Sequence, residues 1–127
     1  MIGSNHDEQR GGAMLASVSN ALVTLHKEQF GRGPTRARTY FAGADTLVCV
    51  LEQALLPAER VMVQKGDQQR VRESRGALQA ATKDQFVAAI EAIVAREVVA
   101  FASAVDPDEG VVWEIYNFQP DGGRPDG

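Results

Sequence analysis

Two stretches constrain the fold more than any other feature of the chain. Thr35–Ala42 and Thr46–Gln53 flank Gly43-Ala44-Asp45, and Val98–Val105 and Val111–Phe118 flank Pro107-Asp108-Glu109-Gly110. Each sets β-branched and aromatic residues on both sides of a turn signal, which is the pattern of a β-hairpin. With the helix-patterned residues 54–97 between them, the order along the chain is helix, hairpin, helices, hairpin. The simplest packing is an α+β fold: a four-stranded antiparallel sheet with the helices on one face, in the order α-β-β-α-α-β-β.

The helices are read from apolar spacing. Leu15, Val18, Leu22 and Leu25 mark one stripe of a helix over about Ala13–Phe30. Gly31 ends it, and Pro34 turns the chain extended after Gly33. Pro57 and Glu59 suit a helix start, although Leu56 is a poor N-cap. Residues 57–75 are expected to be helical with a break near Gly66-Asp67. A further helix is expected over Ala77–Ala95, burying Leu78, Phe86, Ile90, Ile93 and Val94. With 127 residues, 44% of them apolar, the chain holds enough for one core, placed at residues 13–119. Residues 1–12 and 120–127 are polar or rich in Gly, Pro and Asp and are expected to be flexible.

The last strand poses a burial problem. Val111, Trp113 and Ile115 share one face, while Val112, Tyr116 and Phe118 share the other. Helices on one side cover only one of these faces. A second protomer packed sheet against sheet would cover the other, so a homodimer is expected.

Charge and cysteine usage narrow the function classes. The net charge of −4 argues against general nucleic-acid binding, but it hides +3 over residues 31–75 and −6 over residues 76–127. No apolar run reaches membrane-spanning length and the N-terminal residues lack a signal pattern. With one cysteine, Cys49, no internal disulfide is possible, and a cytoplasmic location is expected.

Candidate chemistry is sparse. Arg32, Arg36 and Arg38 surround a Gly-x-Gly-Pro turn. Their guanidinium forks suit a phosphate, a carboxylate or an acidic partner, while arginines on an edge strand also discourage strand-to-strand aggregation. The turn lacks the phosphate-loop pattern. His6 and His26 lack the companions of a metal site, Cys49 reads as a buried hydrophobe, and Asp106, Asp108 and Glu109 read as turn residues. Glu114 lies between Trp113 and Ile115 on the face of Tyr116, where a buried carboxylate needs a partner and the arginine face is one candidate. No nucleophile and base stand at a suggestive spacing, so no catalytic residue, cofactor or metal is assigned.

The stretch SNALVTLHKEQFGRGPTRARTYFAGADTLVCVLEQALLPAE resembles the start of a small bacterial family, MpsC, named after a sodium-translocating, membrane-potential-generating system. The shared features are the helix from Ser19, the pair Lys27-Glu28, Gly31-Arg32-Gly33-Pro34, the Arg38-Thr39-Tyr40 strand and the Leu55-Leu56-Pro57-Ala58-Glu59 entry to a helix. The chain departs from that pattern at Leu56, where a threonine is usual, and at Leu51-Glu52-Gln53, where a glycine is usual. The resemblance implies an accessory role beside a membrane cation or inorganic-carbon transport system, and the lack of catalytic spacing makes a non-enzymatic part acting through protein contacts the expectation. On that reading Arg32, Arg36, Arg38 and Arg60 dock an acidic partner or an anion. The alternative is a small-molecule or anion sensor whose pocket, between sheet and helices, is lined by Tyr40, Trp113, Glu114 and Tyr116.

Overall fold

The computed structural model describes residues 2–120, with side chains from Gly11 onward. Its elements are α1 (Ile2–Phe30), β1 (Arg36–Phe41), β2 (Thr46–Glu52), α2 (Pro57–Gln64), α3 (Gln68–Val94), β3 (Val98–Asp106) and β4 (Val111–Phe118). The expected α+β order is the one observed. The strands form one antiparallel sheet in the order β1-β2-β4-β3, so each hairpin contributes one central and one edge strand.

Two helix boundaries differ from the sequence reading. α1 begins at Ile2, ahead of the stripe near Ala13, because its N-terminal turns carry no apolar face for periodicity to detect. α3 runs without interruption through Gly76, where a second break was expected. The break between α2 and α3 does fall at Gly66-Asp67, with Gly66 at φ +83°. Residues 121–127 of the expected tail, and the side chain of His6, lie outside the described residues.

The core lies between the sheet and α1 and α3. Val18 and Leu22 of α1, and Phe86, Ile90 and Val94 of α3, pack onto Leu47, Cys49 and Leu51 of β2 and Val112, Tyr116 and Phe118 of β4. Burying one such aliphatic side chain contributes roughly 1.5–3 kcal/mol. Leu78, expected in the core, is 37% exposed, and Val71 and Arg75 occupy the inward positions of that part of α3.

The Gly-Arg-Gly-Pro segment has a structural account. Gly31 takes φ +82° and its N–H closes the helix on the Lys27 carbonyl at 2.9 Å. A Cβ on Gly33 would sit 3.0 Å from the Val23 carbonyl oxygen, so glycine lets this loop lie on α1 without pushing the two apart. Leu56 offers no side-chain cap to α2. Glu59 compensates by accepting the Leu56 N–H at 2.7 Å, which is one half of a capping box.

Candidate functional site

The apolar stripe of α1 continues at four-residue spacing through Val18 and Leu22 to His26, which sets the imidazole over the inner face of β4. There Nε2 of His26 lies 2.9 Å from Oε2 of Glu114, and the Tyr116 hydroxyl donates to Oε1 of Glu114 at 2.8 Å. Glu114 and Tyr116 are fully buried and His26 is 3% exposed. A carboxylate is tolerated at this depth because both of its oxygens are hydrogen-bonded.

The strand registers extend this polar centre into a row. Thr39 pairs with Cys49, Cys49 with Glu114, and Glu114 with Ser103, so four polar side-chain positions cross the inner face beneath the helices. Ser19 of α1 meets Thr39 at 2.7 Å between hydroxyl oxygens. Burial, and next the Glu114 charge, push the Cys49 thiol up to about 12, against a weaker lowering effect of its hydrogen bond from Thr39. Burial, then the Glu114 charge and hydrogen bond, likewise hold the Tyr116 phenol protonated well above its ordinary range. Cys49 is therefore no nucleophile, and Tyr116 is a fixed donor.

A cavity of about 300 Å³ opens beside this row, at the small end of ligand sites. α3 lines it with Arg72, Arg75, Gly76 and Gln79, which share one face through helical spacing. His26, Phe30, Ser103 and Glu114 line it from α1 and the sheet. Arg75 is 7% exposed and is held by the buried Glu59, with Nε at 2.9 Å and Nη2 at 2.6 Å from its carboxylate oxygens. Nη2 also donates to the Ala54 carbonyl at 2.7 Å, and the guanidinium stands 5.1 Å over the Phe30 ring.

The third nitrogen, Nη1 of Arg75, makes no hydrogen bond among the described residues. Arg72, Gln79 and Ser103 also keep uncommitted donors there, whereas the acceptors of Glu114 are used by His26 and Tyr116. The free hydrogen-bonding capacity of the wall is thus donor-rich, which suits an anion. Phe30, Val105 and Val112 supply apolar wall beside it. Among the described residues no group of three His, Cys, Asp or Glu side chains is placed to hold a metal ion.

The structure divides the residues singled out from sequence. Arg36 and Arg38 project from the outer face of edge strand β1 and share Glu52, at 3.8 and 3.3 Å. Arg32 and Arg60 line a second cavity of about 360 Å³, opposite Asp108 and Glu109. Tyr40 and Trp113 lie on the outer sheet face, away from the helices, whereas Glu114 lines the inner cavity and Tyr116 supports it from below. The partner of Glu114 is His26, not the arginine face. Sequence reasoning missed His26, Arg72, Arg75, Gln79 and Ser103 as one group. Only His26 left a signal, being the next member of the Val18, Leu22 series.

Fold and cavity together define a small α+β domain with a donor-rich pocket roofed by two helices. Residues 11–119 match the family described as Na+-translocating membrane potential-generating system (MpsC). The chain belongs to the MpsC family, as its GRGP and PAE segments led one to expect. Neither a curated protein nor a solved structure matches it. Among the described residues no helix is long and apolar enough to cross a membrane.

Proposed function

We propose that this chain is a non-enzymatic accessory protein that senses a small organic carboxylate in the cavity beneath α1 and α3. The observation that carries the reading is Arg75, a cavity-lining residue more than nine-tenths buried and tied on two nitrogens, with no hydrogen bond at Nη1 among the described residues. In this reading Nη1 of Arg75 and the fork of Arg72 take the carboxylate oxygens. Gln79 and Ser103 orient the ligand, and Phe30, Val105 and Val112 hold its short apolar body. The Glu59 pair presets Arg75, so little side-chain ordering remains to be done on binding. The family description supports a place beside a sodium-translocating membrane system, with ligand occupancy as the regulatory input.

Thermal unfolding tests this against a panel of short mono- and dicarboxylates, with orthophosphate as the inorganic control. A binding carboxylate raises the melting temperature with its concentration, by the equivalent of about 2.7 kcal/mol at a hundredfold excess over Kd. Gly76→Leu should abolish the rise without unfolding the protein, because a Cβ at Gly76 meets no heavy atom within 4 Å. Arg72→Gln should weaken it, since Arg72 is exposed and folding does not depend on it. A panel without effect, or a rise that survives Gly76→Leu, refutes the site. A rise with orthophosphate alone refutes the organic class.

A further inference from the structure

The outer face of the sheet carries a second feature, independent of the cavity. α1 and α3 pack on the inner face, and the outer face presents Tyr40 at 46% and Ile115 at 37% exposure, with Val48 and Trp113 half-buried between them. The registers show how this face is graded. Tyr40 pairs with Val48, Val48 with Ile115, and Ile115 with Ala102, so a row runs from a large residue on β1 to an alanine on β3. The next row runs from Arg38 through Val50 and Trp113 to Ala104, graded the same way. Beyond it, Arg36 stands opposite Glu52 at the β1 edge and Asp106 opposite Val111 at the β3 edge. Arg36 and Arg38 share one carboxylate, which leaves that edge in positive excess.

We propose that this face pairs with the same face of a second copy, about a two-fold axis parallel to the strands. That rotation lays β1 of one copy over β3 of the other and keeps the rows in step. Tyr40 then falls over Ala102 of the second copy, Arg38 over Ala104, and Arg36 over the Asp106 carboxylate. Val48 meets Ile115, and Trp113 falls over the position of Val50, which is only 6% exposed in the single chain. Large residues meet small ones at both edges, and the excess positive charge meets an acid. An axis perpendicular to the strands sets the two arginine edges against each other instead. From strand spacing and residue rise the face measures roughly 19 by 27 Å, so the pair buries on the order of 1,000 Å², the threshold for a specific interface.

Sedimentation of the full chain tests the pairing. The expected mass is twice 13.7 kDa, falling to the single mass in Tyr40→Lys/Ile115→Lys with the circular dichroism unchanged. The axis is tested by mixing two variants that each add one cysteine, Tyr40→Cys with Ala102→Cys, and adding a short bis-maleimide. A disulfide does not span sheets about 10 Å apart. The native Cys49, fully buried and with its thiol pushed up to about 12, stays silent in this assay. A crosslinked dimer in the mixture and none in Tyr40→Cys alone is the expected result. A single mass at high concentration, a double mass that survives the two lysines, or self-crosslinking of Tyr40→Cys overturns the proposal.

Discussion

The Arg75–Glu59 pair yields the sharpest stability prediction. Both side chains are 8% exposed and meet at 2.6 Å, so among the described residues each is the other's ion-pair partner. Arg75→Met keeps much of the side-chain volume but leaves the Glu59 carboxylate with the Leu56 N–H as its remaining partner. Stranding a buried charge costs about 3–5 kcal/mol. Glu59→Leu strands the guanidinium in turn and also removes the bond to Leu56, roughly 1 kcal/mol more. The double variant Arg75→Met/Glu59→Leu leaves neither charge, so it should lose far less than the two singles added together. A coupling of about 2–3 kcal/mol is expected. Urea unfolding reads it: with a slope of about 2 kcal/mol/M, each single variant moves the midpoint down by roughly 2 M. Singles that lose under about 1 kcal/mol, or a double that loses their sum, would show that solvent reaches the pair and the reasoning fails.

Three other outcomes are expected. The unfolded chain releases the Cys49 proton near the ordinary 9.0 and the folded chain only near 12, so the folded state holds more protons in between and stability falls as pH rises above 9. Between pH 9 and 10 the wild type should lose about 1 kcal/mol more than Cys49→Ala, and equal losses in urea melts contradict the burial argument. Gly76→Ala should raise the melting temperature, by up to about 1 kcal/mol of stability, since Gly76 is mid-helix with open space around it; Gly33→Ala should lower it, because its Cβ meets the Val23 carbonyl oxygen at 3.0 Å. Ala95 caps α3 at φ +62°, so Ala95→Gly should stabilise by about 1 kcal/mol, and a neutral or destabilised calorimetric result rejects left-handed strain there.

Much of the fold was legible before any coordinates. Gly43 and Gly110 sit in turns that demand positive φ, Gly31 closes α1, and Pro57 opens α2. These are local requirements, set by backbone sterics within a few residues, and a sequence displays them directly. The alternation along β4 likewise sorts Val112, Tyr116 and Phe118 from Val111, Trp113 and Ile115, while which of the two faces turns inward was decided only by the packing of the helices. The family followed from the same local segments.

The pocket was not legible, and the reason is physical. Arg75 and Gln79 occupy the inward stripe of α3 where Leu78 was expected, so periodicity reads that half of the helix as solvent-facing. A buried guanidinium is stable only because Glu59 and the Ala54 carbonyl meet it from another part of the chain. His26 and Glu114 are 88 residues apart and become partners only when β4 inserts beside β2 beneath α1. Local sterics and alternation belong to the sequence. Which distant charge satisfies which buried group is decided by the packing of helices on the sheet, because only that packing takes water away from both.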